Sequence, residues 1–319
     1  MKLIVQIPCY NEELTLPATV ADIPRQIPGI DKVEVLIIDD GSQDRTIEVA
    51  REIGVDHIVR NKRNMGLARS FRRGLDACIA LGADIIVNTD GDNQYSGADI
   101  AKLVQPILEG KVDIVVGDRQ THGIEHFSPS KKALQRFGSW VVRSFSGVNV
   151  PDAVSGFRAI SRDAAMRLNI VSAFSYTIEM LIQVGMKGIA FTSVPIGTNA
   201  KTRESRLFKN AFKFIERSAT TLLRMYSMYR PLRVFTLIGL IIALIGIVPM
   251  MRFLYFYILA SGHGKIQSLI IGSALLTIGV ITFLLGMVAD LLNHNRHLIE
   301  ITLEKVRKIE ARVEQGESR

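Results

Sequence analysis

Apolar residues in the first 200 positions cluster in short β-branched runs at 3–7, 33–38, 56–59, 84–87, 113–116 and 189–194. Between them lie segments with helical spacing at 13–25, 44–53, 67–81 and 100–109. This alternation predicts an α/β sandwich around a mostly parallel sheet, because parallel strands need a crossover that a helix supplies. Past residue 203 the pattern changes. Leu207, Phe208, Ala211, Phe212, Ile215, Ala219, Leu222 and Leu223 recur at helical spacing among basic residues, which predicts an amphipathic helix. Such a helix either lies at an anionic membrane surface or packs on the preceding domain. Residues 234–251 and 268–289 then run for eighteen and twenty-two positions without a charge. As helices they would span about 27 and 33 Å, enough for a hydrocarbon core of about 30 Å.

The expected organisation is therefore an α/β domain at 1–202, a basic amphipathic segment at 203–231, transmembrane helices at 232–260 and 266–292, and a helical tail at 293–319. Arg252, Phe253, Tyr255, Phe256 and Tyr257 read as an aromatic belt at the far interface, and the short connection 261–265 closes a hairpin. In the tail, Ile299, Thr302, Val306, Ile309 and Val313 fall at three- and four-residue spacing. That stripe fits a short self-associating helix, or one lying on the membrane or on the first domain.

Charge sharpens this division. The chain carries +8, from 39 Lys and Arg against 31 Asp and Glu. A basic chain can signal nucleic acid or an anionic membrane, depending on where the charge sits. Residues 1–202 hold 23 basic and 23 acidic side chains, so the domain is neutral and no nucleic-acid partner is expected. Residues 203–233 hold eight basic and two acidic side chains, a +6 collar directly ahead of the first apolar run. By the positive-inside rule this collar and the tail face the cytoplasm. The N-terminus carries no signal-peptide pattern, so the expectation is an integral protein of the cytoplasmic membrane with its domain and both termini cytosolic. The two cysteines, Cys9 and Cys78, are too few for a disulfide scaffold or a four-thiolate zinc site and are assigned to core packing.

In open parallel sheets, ligands sit at the carboxyl ends of the strands. Here those ends read Pro8-Cys9-Tyr10-Asn11-Glu12-Glu13, Asp39-Asp40-Gly41-Ser42, Asn61-Lys62-Arg63-Asn64-Met65-Gly66, Asp90-Gly91-Asp92-Asn93-Gln94 and Gly117-Asp118-Arg119. Asp90 and Asp92 alternate on an extended segment, and their mutual repulsion would be relieved by a hard cation, Mg²⁺ or Mn²⁺, shared with phosphate oxygens. Gln94 offers a further oxygen. Asp39 or Asp40 can accept hydrogen bonds from a base edge or a ribose diol. No Gly-x-Gly-x-x-Gly follows the first strand and no Gly-Lys-Ser/Thr loop occurs, which excludes the dinucleotide and P-loop readings.

Ile7-Pro8-Cys9-Tyr10-Asn11-Glu12-Glu13, Ile37-Ile38-Asp39-Asp40-Gly41-Ser42, Thr89-Asp90-Gly91-Asp92-Asn93-Gln94 and Ser155-Gly156-Phe157-Arg158 resemble the ordered signatures of family-2 glycosyltransferases. Within that family, residues 1–206 and the following hairpin resemble the polyprenyl-phosphate branch, which includes dolichol-phosphate mannose synthases and bactoprenol-phosphate glucosyltransferases. The resemblance implies a GT-A (Rossmann-like) fold and a nucleotide-sugar donor. It implies a nucleobase site at Pro8, Tyr10 and Glu12, metal and diphosphate at Asp90, Asp92 and Gln94, and phosphate contact by Arg119. It also implies an acid near the reacting centre at Asp152, and places Glu179 where a structural or functional acid occurs. The acceptor-phosphate region departs from the family pattern. Lys131 and Gln135 stand where an Arg and a Ser are common, with Lys132 and Arg136 as neighbouring substitutes, and Arg203 lies in Lys201-Thr202-Arg203-Glu204-Ser205-Arg206, where Arg ahead of Gly-x-Ser-Lys is usual. Lys and Arg differ in phosphate geometry, so the local contacts should differ too.

The expected reaction is inverting transfer of a sugar from GDP-mannose or UDP-glucose to the phosphate of a membrane polyprenol, with Asp92, Arg119 and Asp152 in the catalytic set. A phosphate monoester is already anionic near neutral pH, its second pKa lying near ~6. It needs little base catalysis, which fits motifs that carry no histidine. The alternatives are transfer to a glycan or protein hydroxyl, and a non-catalytic GT-A scaffold. A processive polysaccharide synthase is excluded by the lack of Gln-x-x-Arg-Trp around Trp140, the sole tryptophan. The segment 120–130 reads as a flap between donor and acceptor or as an ordinary surface loop, and a homo-oligomer is expected from the tail.

Overall fold

The computed structural model describes residues 1–120, 143, 147–171, 176–199, 220, 224, 226–259 and 265–317. The chain divides into two compact units, Met1–Leu222 together with Thr302–Arg319, and Leu223–Ile301.

The first unit holds a seven-stranded sheet of β1 (Lys2–Cys9), β2 (Lys32–Asp39), β3 (His57–Arg60), β4 (Ile85–Asn88), β5 (Ile114–Asp118), β6 (Arg158–Ser161) and β7 (Phe191–Pro195). Their order is β3-β2-β1-β4-β6-β5-β7. Every pairing is parallel except those of β6, which runs antiparallel between β4 and β5. The six runs read from the hydrophobic pattern are all strands. β6 escaped that reading because four residues opening on an arginine carry no apolar alternation. The helices α1 (Leu16–Ala21), α2 (Thr46–Glu52), α3 (Leu67–Ala80) and α4 (Ile100–Leu108) fill the crossovers, and α5 (Arg162–Arg167) and α6 (Tyr176–Lys187) follow β6. α1 is shorter than its 13–25 pattern. Pro17 opens its first turn, where a missing N–H costs nothing, and Pro24 bars continuation past Ile23.

β1 is buried along nearly its whole length, as a central parallel strand covered on both faces must be. Leu3, Val5, Ile7, Val33, Val35 and Ile37 share one core with Leu103, Val104 and Ile107 of α4. α3 packs against β1 and β2, burying Phe71, Leu75, Cys78 and Ile79. Both cysteines are buried in the core. At the end of the sheet remote from the rim, Glu34 binds Lys2, Lys32 and His57 at 2.7, 2.6 and 2.8 Å. Burial raises the pKa of Glu34, but the three cationic or hydrogen-bonding partners outweigh it and hold the group at about 2.

The second unit contains α7 (Pro231–Leu259) and the first part of α8 (Ile266–Glu317). Both helices are long and apolar enough to cross a membrane, with mean hydropathies of 2.6 and 2.4 and little burial inside the protein. Gly239 and Gly246 of α7 meet Gly279 and Gly272 of α8 so closely that an added Cβ would lie 2.6–2.9 Å from a facing carbonyl oxygen. Glycines at seven-residue spacing thus form the seam that lets the helices touch backbone to backbone. Lys265 lies 5.4 Å from the Phe256 ring centroid, and Phe253 stacks on Tyr257. α8 does not end at 292 but continues through the tail, since no Pro or Gly intervenes between Asp290 and Val313. The predicted amphipathic segment 203–231 and connection 261–265 lie almost wholly outside the described residues.

Candidate active site

The strand order places β1 beside β4, with β2 and β3 on one side, so the crossover direction reverses between β1 and β4. The loops after these two strands flank that crevice. Asn11 adopts φ 55° and Asn93 φ 55°, left-handed turns that asparagine tolerates, and each redirects a loop just past its strand. Thr15 and Thr19 at the start of α1 donate their hydroxyls to the Gly91 carbonyl at 2.7 and 3.2 Å. The backbone between Asp90 and Asp92 is therefore tied to the loop after β1. Glu12 is buried, takes the Thr15 hydroxyl at 2.9 Å on Oε2, and donates its own N–H to Thr46 at 2.8 Å.

The adjacent acids after β2 have different surroundings. Asp40 accepts from Asn61 Nδ2 and from the Met65 and Gly66 amides, each at 2.8 Å, so it fastens the loop after β3 and the start of α3. Asp39 accepts the Ser42 amide on Oδ1 at 3.0 Å. Among the described residues its Oδ2 is buried without a hydrogen-bond partner, with Arg60 Nε 3.5 Å away. A buried carboxylate oxygen left in that state is costly unless a ligand completes it. Beside it opens a cleft of about 510 Å³ lined by Arg60, Lys62, Arg63, Met65 and Arg73. Gly41, at φ 75°, allows the contact between these loops, since a Cβ there would sit 2.6 Å from the Arg63 backbone.

Because β6 is antiparallel, its first residues arrive at the rim where the parallel strands end. Arg158 pairs in register with Asn88 and Val116, which brings Ser155-Gly156-Phe157 over the crevice. Gly156 is pinned on both sides: its N–H donates to the Tyr95 hydroxyl at 3.0 Å, and its carbonyl accepts from Asn88 at 2.9 Å. Gln6 in turn donates to Asn88 at 2.9 Å. A Cβ at Gly156 would stand 3.0 and 3.1 Å from the two Asp90 oxygens, so only glycine leaves the carboxylate its place. Arg158 is fully buried and donates to the carbonyls of Ala153, Ser155 and Thr177 at 2.9–3.0 Å. It braces the turn that carries Asp152. Burial lowers its pKa, against the raising influence of Tyr176, Asp152, Tyr95 and Asp90.

Arg119 grips Asp152 with two parallel bonds, Nε to Oδ2 at 2.6 Å and Nη2 to Oδ1 at 3.0 Å. Asp152 is buried while Arg119 keeps 21% of its side chain exposed, so the pair presents a guanidinium on a fixed carboxylate base. Burial opposes the Arg119 charge, but Tyr95, Asp152 and Asp90 raise its pKa and keep it cationic. Tyr95 itself is pushed up to about 12, chiefly by burial.

Asp90 and Asp92 are both half-buried, with Asp92 Oδ1 accepting the Gln94 amide at 3.3 Å. Among the described residues no three His, Cys, Asp or Glu side chains form a ready-made metal cage. Two hard carboxylates on an open rim, with the Gly156 cradle beside one of them, suit a Mg²⁺ or Mn²⁺ ion that completes its shell with phosphate and water. Pro8, Tyr10, Glu12, Asp39, Asp40, Asp90, Asp92, Gln94, Arg119 and Asp152 are brought to one end of the sheet. Lys131, Lys132, Arg136 and Arg203 lie outside the described residues. Glu179 is buried and accepts the Val171 amide at 2.9 Å. Sequence reasoning missed Gln6, Asn88, Tyr95 and Tyr176, the polar supports beneath the rim. Gln6 and Asn88 inside apolar strand runs were the available signal, since a buried amide must find partners.

A parallel sheet interrupted by one antiparallel strand, with acids at its switch point and an arginine across from them, defines a GT-A-like α/β domain. The sequence profile of glycosyl transferase family 2 matches residues 4–168, and the chain belongs to that family. It is 30% identical to a dolichyl-phosphate hexose transferase of Haloferax volcanii over 205 residues, 64% of this chain and 86% of that protein. It is 27% identical to a dolichol-phosphate mannosyltransferase of Pyrococcus furiosus over 224 residues, 67% of this chain and 62% of that one. Its fold is shared by glucosyl-3-phosphoglycerate synthase from Mycobacterium tuberculosis, crystallised with Mn²⁺, UDP-glucose and phosphoglyceric acid. That likeness has a TM-score of 0.53 at 20% identity and covers 71% of this chain and 78% of that one.

Proposed function

We propose that this glycosyltransferase moves a hexose from a nucleoside-diphosphate sugar, GDP-mannose or UDP-glucose, to the phosphate of a membrane polyprenol. The observation that carries the reading is the placement of Asp90, in its Gly156 cradle, at the switch point beside Asp92, with the Arg119–Asp152 pair within reach of its charge. Such a site serves a departing diphosphate. The dolichyl-phosphate relatives and the two apolar helices support a lipid-borne acceptor.

In this reading Pro8, Tyr10 and Glu12 shape the base site, and Asp39 Oδ2 takes the hydrogen bond from base or ribose that it lacks within the protein. Asp40 holds the loop beneath them. Asp90 and Asp92, with Gln94 orienting water or phosphate, would hold the divalent cation. When bound there, it would supply neutralisation of charge developing on the leaving diphosphate. Arg119, kept cationic and aimed by Asp152, binds the same group from the other side, so Asp152 acts through the arginine. An acceptor that is already anionic attacks in line and inverts the anomeric centre, with no proton to be removed from it. Lys131, Lys132, Arg136 and Arg203 supply the acceptor-phosphate contacts. The protein sits in the cytoplasmic membrane by α7 and the start of α8. Its domain and termini lie in the cytosol, in keeping with the return of residues 302–319 to the first unit.

The test is a panel of nucleotide sugars offered to the full-length protein with polyprenyl phosphate and Mg²⁺ or Mn²⁺, scoring labelled lipid. Transfer from one hexose donor is expected. Label appearing only on a glycan or protein hydroxyl would overturn the reading.

A further inference from the structure

The tail stripe remains unused by the reaction. Written as heptads, residues 298–313 put Ile299, Val306 and Val313 at a and Thr302 and Ile309 at d. Ile299, Val306, Ile309 and Val313 are 67, 41, 60 and 52% exposed. The side of the helix that is engaged is the other one. Arg307, at b, donates to the carbonyls of Met166 and Leu168 at 3.1 Å each and pairs with Asp76 of α3 at 3.4 Å. Lys308, at c, binds Asp163 and Glu304 at 2.8 Å. Within the first unit, positions b and c of this segment dock on α3, α5 and the residues that follow it, while Val306, Ile309 and Val313 at a and d stay exposed.

We propose that this outward face is where copies of the chain meet, their tails pairing side by side as a parallel coiled coil. The flanking charges are self-complementary. Lys305 at g and Glu310 at e are both exposed, and g of one strand faces e of the next heptad on its partner in a parallel pair. The parallel direction rests on the two-span reading, since chains inserted alike send their tails the same way. A lipid surface is the poorer occupant. Asp290, Asn293, His294, Asn295, Arg296 and His297 separate the stripe from the apolar span, and the continuous helix has no Pro or Gly at which to fold back into the bilayer plane. Two heptads pair weakly in free solution, but confinement to one membrane raises their effective concentration.

The test uses full-length protein in mild detergent and in nanodiscs that hold more than one chain. Ile309→Cys should form an oxidative inter-chain crosslink much faster than Ile301→Cys at position c, the native Cys9 and Cys78 being buried. Light scattering should show a wild-type oligomer, loss of it in Lys305→Glu, and its return in Lys305→Glu/Glu310→Lys. A monomeric wild type, equal crosslinking at 301 and 309, or a charge swap that fails to restore association would each overturn the proposal. So would a fluorophore attached to the Ile309→Cys variant that reports apolar surroundings only when anionic vesicles are added. Sugar transfer is read in parallel, so a monomeric but active enzyme separates this failure from failure of the proposed reaction.

Discussion

The strand-end rim and the glycine seam are held together by opposite means. At the rim, position is set by directed polar bonds: Asp40 on three donors, Gly156 between Tyr95 and Asn88, Arg119 forked onto Asp152. Along the seam, position is set by the absence of side chains, with Gly239 and Gly246 lying against Gly279 and Gly272. A polar site tolerates substitution badly because a buried group is left unpaired; a backbone seam tolerates it badly because nothing can yield. The first kind of damage should show in chemistry or folding, and the second in helix association alone.

The largest expected effect is at the acids of the switch point. Asp90→Ala and Asp92→Ala should each reduce transfer by about 10³-fold or more, the scale for losing electrostatic stabilisation of a leaving group. Circular dichroism and melting should stay near wild type, and unchanged turnover at saturating Mg²⁺ or Mn²⁺ would remove these residues from the site. Next come the neighbours Asp39 and Asp40, which the fold separates sharply. Asp40→Ala should cost about 2–3 kcal/mol of stability, since one buried and two part-buried donors lose their acceptor, as read by denaturant unfolding of the first unit's signal. Asp39→Asn should leave stability within about 1 kcal/mol while raising the KM for the donor about tenfold, because its effect falls on a bound ligand. Equal behaviour of the two variants would contradict the division of labour drawn between them.

Most of the sheet was legible because its strands are buried on both faces and so appear as unbroken apolar runs. The rim was legible because a parallel sheet gathers its strand ends. What could not be read was β6. Arg158-Ala159-Ile160-Ser161 has no pattern of its own, and only the gap between β4 and β5 makes it a strand. The roles of Asp39 and Asp40 stayed merged for the same reason. Which of two adjacent carboxylates is consumed by the fold depends on the loop 61–66 and α3, remote partners that spacing does not reveal. Arg158 shows the same limit, a motif arginine whose three bonds all go to backbone carbonyls of its own unit.

On the seam, Gly279→Leu should separate α7 from α8, because its new side chain would start 2.7 Å from the Gly239 carbonyl oxygen. A loss of about 1–3 kcal/mol in hairpin stability is expected, measured by protease sensitivity in detergent, with donor binding at the rim unchanged. The smallest effect is at Glu34, at the end of the sheet remote from the rim. Its folded pKa of about 2 lies below its ordinary 4.5, so its stabilisation is present above about pH 4.5 and is lost as the pH falls through about 2. Glu34→Gln should therefore flatten the acid limb of the stability curve over that window. It should cost about 1–2 kcal/mol at neutral pH after allowance for its more exposed lysine partners, with transfer unaffected.

In the proposed reaction the acceptor brings its own negative charge. The most direct measurement compares polyprenyl phosphate with the same polyprenol lacking the phosphate, using full-length protein, a labelled hexose donor and saturating divalent metal. Labelled lipid is predicted with the phosphate alone, at a rate that changes little between about pH 7 and 8.5 because no proton need leave the acceptor above its pKa near ~6. Comparable labelling of the neutral alcohol, or a steep rise in rate with pH, would contradict it.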